Sequence, residues 1–323
     1  MDVVAVTGAE GFIGSHLVEA LVRRGHRVRA MVLYNMHSST SWLATLAPEL
    51  RAEVEVHFGD VRDPATVRAL VEGASTVYHL AAIGSVPYSY AAPRSFVDTN
   101  TIGTLQVLEA ARACETPRIV HTSTSETYGT ARTVPIAESH PLQAQSPYAA
   151  SKVAADKFAE SYHLSFGLPV VTLRPFNTYG PRQSTRAVIP QIVTQLASGA
   201  RTLNLGALDP TRDFLFVEDT AAAFVAVGTA PAAAVAGEVL NAGTGTDISI
   251  GDLAATLCRL MGVDADIVED AARLRPKDSE VRRLVCDAAR LTERTGWVPT
   301  VPLEAGLERT IAWFSDPANL AHY

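Results

Sequence analysis

Cysteine is scarce: only Cys114, Cys258 and Cys286 occur in 323 residues, far apart and without a CxxC pair. That excludes a disulfide framework and a zinc knuckle, and it predicts a reducing, cytoplasmic setting. The nine histidines show no HxxxH or HExxH spacing, so no metal site is expected. Basic residues, 27 against 34 acidic, are scattered, and the net charge is -7. A nucleic-acid binder would show a basic stripe. Charged residues make up only 19% and hydrophobic residues 47%, which excludes a disordered chain. No long hydrophobic run is present either. The longest apolar stretch, 221–236, is mostly Ala and is interrupted by Gly228 and Pro231, as in a buried helix with its exit loop rather than a membrane span. The run Val3–Val6 follows no basic leader or small-residue cleavage site, so no secretory signal is expected.

What is present is a regular alternation. Val3–Thr7, Arg27–Val32, Val54–Phe58, Thr76–Leu80, Arg118–Thr122 and Pro169–Arg174 read as strands. Gly14–Arg24, Pro64–Glu72, Asn100–Cys114 and Tyr148–Phe166 read as helices between them. This order predicts an α/β fold, a Rossmann-type doubly wound parallel sheet over residues 1–174. Beyond Arg174 the elements shorten, with helices expected at Ile189–Ala197, Val217–Val227, Ile250–Leu260 and Leu303–Phe314. Residues 175–323 are expected to form mainly a smaller C-terminal α/β substrate lobe, with Val239–Asn241 able to return to the sheet. Ligands of such sheets bind beyond the carboxyl ends of the strands.

Gly8, Gly11 and Gly14 stand between the first strand and first helix in the run TGAEGFIG. Glycines there allow a tight turn, and the backbone amides of a helix start, at Phe12 and Ile13, can meet a pyrophosphate. The spacing is GxxGxxG. An acidic residue usually closes the second strand and grips the adenosine ribose, but Met31-Val32-Leu33-Tyr34-Asn35 contains none. No Arg lies between Ala30 and Leu50 to take a 2′-phosphate, so NAD is expected over NADP, with Arg29 the nearest exception. After the third strand, Asp60 and Val61 stand where an adenine amino group could be met.

Tyr148 and Lys152 are four apart, on one helix face, and Thr122-Ser123-Thr124-Ser125-Glu126 closes the preceding strand. A tyrosine with an ordinary pKa of about 10 is a poor base at neutral pH until a nearby ammonium, and a positive nicotinamide, favour the phenolate; Lys152 is expected to supply the ammonium. Thr124 would share the substrate proton.

With these motifs in place, the chain resembles the extended short-chain dehydrogenase/reductases that act on nucleotide sugars. The matching residues are the glycine turn, Gly59-Asp60-Val61, His79-Leu80-Ala81-Ala82, Asn100, the Thr124, Tyr148 and Lys152 set, Arg174-Pro175-Phe176-Asn177, Tyr179-Gly180-Pro181-Arg182, Arg212-Asp213-Phe214 and Gly296-Trp297. The resemblance implies NAD bound by Gly8, Gly11, Phe12, Ile13, Gly14, Asp60, Val61, Leu80, Ala81, Ala82, Asn100, Tyr148 and Lys152. It also implies a nucleoside diphosphate sugar in the C-terminal lobe and commonly a homodimer through the Asn100 and Tyr148 helices. Asn177, Arg212 and Arg275 are candidates for the diphosphate and nucleoside, since an arginine fork suits phosphate.

In this family, simple 4-epimerases tend to carry a small or hydroxyl residue where Glu126 stands, whereas 4,6-dehydratases and glucuronate decarboxylases carry glutamate. Ser125 stands where dTDP-glucose enzymes place an Asp acid. The stretches Tyr34-Asn35 with Ser41-Trp42-Leu43, and Thr178–Arg186 with Thr211–Phe214, look most like NAD-dependent 4,6-dehydratases of the legionaminic-acid type. The expected activity is a nucleotide-sugar 4,6-dehydratase. A 4-epimerase, then a UDP-glucuronate decarboxylase, then a catalytically silent nucleotide-binding regulator are the alternatives.

Overall fold

The computed structural model describes residues 2–323. Seven strands form one fully parallel sheet: β1 (Val3–Thr7), β2 (Arg27–Leu33), β3 (Val54–Gly59), β4 (Thr76–His79), β5 (Ile119–Thr122), β6 (Val170–Pro175) and β7 (Val239–Ala242). Their spatial order is β7-β6-β5-β4-β1-β2-β3, so the chain reverses direction between β1 and β4. That reversal opens a crevice at the carboxyl edge. Central strands such as Val4-Ala5-Val6 and Val170–Leu173 are buried throughout, without alternation, because both sheet faces are covered.

Eight helices longer than a turn or two complete the fold: α1 (Phe12–Arg23), α2 (Pro64–Val71), α3 (Gly103–Ala113), α4 (Pro147–Phe166), α5 (Val188–Ala197), α6 (Val217–Thr229), α7 (Ile250–Met261) and α8 (Leu303–Ser315). One core joins α1 and α6 to one sheet face through Leu17, Leu21, Phe224 and Val227. A second core joins α2, α3 and α4 to the other through Val67, Leu70, Val107 and Ala159. Residues 217–242 thus return to the nucleotide-type body and supply both a covering helix and an edge strand. A third core, with Ile192, Leu203, Phe216, Leu257 and Phe314, packs α5, α7 and α8 into the smaller lobe.

Where one continuous helix is expected from Asn100 to Cys114, a π turn at Val97–Ile102 precedes α3. The wider turn seats Asn100, which is fully buried, against the loop after β4. Short strands in the lobe, Thr211–Arg212 between Ile248–Ser249 and Arg283–Leu284, hold Arg212 rigidly. Among the described residues, no helix is long and apolar enough to cross a membrane. No group of three His, Cys, Asp or Glu among them could hold a metal.

Candidate active site

The glycine turn is built by close approach. Gly8 has φ of +67°, and a Cβ there would lie 2.8 Å from the Ala81 nitrogen. A Cβ on Gly14 would lie 2.1 Å from the Gly8 carbonyl oxygen, so only glycine lets α1 start against the turn. Gly11 caps α1 with no side-chain acceptor, and no acidic residue occupies the first turn. The amides of Phe12 and Ile13 therefore face the crevice end of a helix that favours anions. Thr7 Oγ1 ties β1 to β4 by accepting from the amides of Leu80 and Ala81, both at 3.1 Å. Asn100 accepts from the Ile83 amide at 2.8 Å and donates to the Ile83 carbonyl and to Ser151 Oγ. Its amide is engaged within the protein, so it shapes the Leu80-Ala81-Ala82 loop.

At the far side of the crevice, Asp60 is held by Arg62, whose hydrogen bonds keep the carboxyl below its usual range. Val61 is buried, and a Cβ on Gly103 would meet its Cγ1 at 2.7 Å. Arg29 points away from the carboxyl edge and donates to the Glu72 carbonyl at 2.5 Å. Glu10, inside the glycine turn, accepts from the Leu33 amide at the end of β2 at 2.8 Å.

Ser146 caps α4 by accepting from the Ala149 amide at 3.1 Å, and Pro147 fills the first turn. This start sets Tyr148 over the end of β5. Burial pushes the Tyr148 phenol up to about 12, the Thr124 hydroxyl opposes that by hydrogen bonding, and the carboxylates of Glu126 and Asp156 reinforce it. Lys152 is buried, and its Nζ donates to the Thr122 carbonyl at 2.5 Å. Burial lowers Lys152 to about 8 against the pull of Asp156. In the protein alone, burial is the largest influence on the Tyr148 phenol.

Asp156, one helical turn beyond Lys152, accepts from His121 at 3.0 Å, Ser123 at 2.7 Å and Arg174 at 2.8 Å. Burial opposes its ionisation, yet the His121 hydrogen bond and the Arg174 charge hold it at about 2. This anchor fastens α4 to β5 and β6. Tyr148, Lys152 and Asp156 recur every four residues on one face of α4, the one sequence signal that marks Asp156.

Thr124 caps a short turn, Ser125–Tyr128, accepting from the Glu126 amide at 3.3 Å, and Ser125 is buried behind it. The charge of Glu126 raises the Tyr148 phenol and favours the Arg212 cation, so the β5 end and the lobe meet at one site. Arg212 is buried and donates to Glu280 at 3.1 Å, and Arg275 lies 3.7 Å from the same carboxylate. Arg275 Nη1 is buried with no hydrogen-bond partner, a donor that an anion would satisfy. Asn177 is tied by its amide to the Asp213 carbonyl at the lobe's inner strand. Glu280 escaped sequence reasoning because nothing local marks a carboxylate 68 residues from its arginine.

A tyrosine–lysine helix beside a glycine turn on a reversing parallel sheet defines the class, an extended short-chain dehydrogenase/reductase. The family model described as GDP-mannose 4,6 dehydratase matches residues 5–310, and the chain belongs to that family. It is 35% identical over 315 residues to a dTDP-glucose 4,6-dehydratase of Streptomyces antibioticus, covering 96% of this chain and 92% of that one. It is 33% identical to a UDP-glucose 4-epimerase of Mycolicibacterium smegmatis, covering 97% and 99%. Among solved structures, DesIV, a dTDP-glucose 4,6-dehydratase from Streptomyces venezuelae with NAD and TYD bound, matches with a TM-score of 0.87 at 30% identity over 98% of both chains. The chain is an enzyme of this nucleotide-sugar dehydratase and epimerase family.

Proposed function

We propose that the protein is an NAD-dependent nucleotide-sugar 4,6-dehydratase. The carrying observation is Glu126: on the turn that Thr124 caps at the end of β5, it brings a carboxylate close enough for its charge to bear on Tyr148 and on the buried Arg212, a second base for a site that already has one. The glycine cradle and the open amides of α1 suit a dinucleotide pyrophosphate, with Lys152 and Tyr148 beside its reactive end. Arg212 and Arg275, whose Nη1 makes no hydrogen bond although it stands near Glu280, suit the diphosphate of a sugar nucleotide.

When bound, NAD stores the electron pair and hydrogen taken from C4 of the sugar and gives them back at C6 after water has left. Tyr148 removes the 4-hydroxyl proton, and Thr124 orients that hydroxyl. The C4 ketone acidifies the C5 hydrogen, which Glu126 takes as a proton. The departing C6 hydroxyl then collects that proton from Glu126, with Ser125 assisting, and water leaves; as C6 regains its hydrogen, C5 takes a proton from solvent. An epimerase needs none of the Glu126 steps, since its ketone only turns over.

Glu126→Gln tests this reading. The variant should oxidise C4 and stall, accumulating reduced cofactor and 4-keto sugar, with 6-deoxy product falling by about 100- to 10,000-fold. The wild-type product formed in deuterated water should carry one deuterium at C5. A product of unchanged mass, inverted at C4 and free of C5 deuterium, would establish the epimerase instead.

The same reading places the enzyme in the cytoplasm, in keeping with three free cysteines. It also makes the enzyme a homodimer through α4 and the Asn100 turn, whose outer faces expose Val97, Ile102, Phe158 and Leu164. Light scattering that returned a monomer's mass would refute the dimer.

A further inference from the structure

The end of β2 lacks the acid that normally holds the adenosine ribose. The one acid between residues 30 and 50, Glu49, sits exposed on a separate short helix. Yet a carboxylate does stand at that strand end, delivered from the glycine turn. The Ala9 amide donates to the Met31 carbonyl at 3.3 Å, stitching the turn to β2, and Glu10 Oε1 accepts from the Leu33 amide at 2.8 Å. The other oxygen, Glu10 Oε2, is buried and has no hydrogen-bond partner. A buried carboxylate oxygen without a donor is costly, and one with a fixed orientation is a ready acceptor. The other acid nearby, Asp60, follows β3 and is clamped by Arg62.

We infer that Glu10 replaces the missing β2 acid, with Oε2 accepting from the adenosine ribose hydroxyls while the Leu33 amide holds Oε1. The inference rests on the NAD reading above. It also explains discrimination: a 2′-phosphate would face this carboxylate charge against charge, whereas a 2′-hydroxyl donates to it. Arg29 offers no relief, because its guanidinium is turned toward the Glu72 carbonyl. Glu10 is therefore a specificity-determining residue supplied by the loop that binds the pyrophosphate.

The test is calorimetric titration of cofactor-stripped full-length protein, wild type and Glu10→Gln, with NAD, NADP and NAD lacking the adenosine 2′-hydroxyl. Gln retains an oxygen for the Leu33 amide, so the variant should melt close to wild type while losing the charged acceptor. NAD binding should weaken by roughly 10- to 100-fold, the range of a hydrogen bond to a charged group. Wild type should lose a similar factor with the 2′-deoxy cofactor, and the variant should be nearly indifferent to that deletion. The preference for NAD over NADP should narrow in the variant. The 2′-deoxy titration on wild type tests the contact even if Glu10→Gln fails to fold: equal binding of NAD and its 2′-deoxy form overturns the inference. A folded variant that binds and discriminates like wild type overturns it too, leaving the NAD reading standing. Wild type that binds no NAD overturns both.

Discussion

Burying Lys152 has a cost that can be measured through stability. Its pKa falls from 10.5 to about 8, burial being the cause and Asp156 only a partial remedy. At about 1.4 kcal/mol per pKa unit, holding the ammonium inside the fold costs about 3 kcal/mol at pH 7. The folded pKa lies below the unfolded one, so the unfolded chain binds more protons between pH 8 and 10.5, and stability rises with pH across that window. At pH 9.5 roughly 1 kcal/mol of that cost remains.

Lys152→Met removes the charge and keeps the chain length. It also removes the bond to the Thr122 carbonyl, worth about 1 kcal/mol. Cofactor-free Lys152→Met should therefore be more stable than wild type by about 2 kcal/mol at pH 7, while losing turnover. At pH 9.5 the advantage should shrink by roughly 2 kcal/mol, because the Thr122 bond is absent at both pH values and largely cancels. Parallel denaturant melts of the two proteins at each pH give the difference directly, and every other titrating group is common to both. A variant less stable than wild type at pH 7, or an advantage that does not change with pH, would refute the argument that an ionised lysine is buried there.

Tyr148→Phe should abolish turnover and leave cofactor and sugar-nucleotide binding near wild type, since the ring still packs against Phe96; near-normal rates would remove Tyr148 from the chemistry. Wild-type activity at neutral pH would place the phenol's working pKa below its value of about 12 in the protein alone, and the rate profile of the loaded enzyme should show that drop. Gly14→Ala should lose dinucleotide binding, because its Cβ would overlap the Gly8 carbonyl at 2.1 Å and force α1 away from the turn; an unchanged cofactor Kd would contradict that geometry.

The sheet was legible because short runs rich in β-branched and aliphatic residues, such as Val3–Val6 and Val170-Val171, alternate with longer helical patterns, and the return of Val239-Leu240 was short but apolar. The two-residue strands around Arg212 were not, since a ladder so short has no period to detect. Periodicity also could not separate the π turn at Val97–Ile102 from the α-helix that follows, because apolar spacing in a single turn is the same for both. In the site, the glycine turn and the Tyr148–Lys152 spacing are local and were visible. Glu10 is not marked by spacing: an acid is expected about 20 residues after the glycine turn, at the end of β2, whereas the fold brings Glu10 to that strand end from the loop before α1. Three-dimensional proximity of Glu10 to Leu33 depends on β1 and β2 being neighbours in register, Thr7 opposite Met31, which no spacing rule encodes.

That register also explains why one short loop can serve two ends of a dinucleotide. β1 is the strand from which the chain order reverses, so the turn after it faces β4 on one side and β2 on the other. Gly8 yields room to Ala81 on the β4 side, toward Tyr148 and Lys152, and Glu10 reaches Leu33 on the β2 side. The amides of Phe12 and Ile13 follow at the start of α1. On the proposed reading, cofactor grip at the adenosine end and backbone spacing at the reactive end are coupled through seven residues, Gly8 to Gly14. A substitution that loosens the turn should reach both the affinity for the cofactor and the alignment of the tyrosine base.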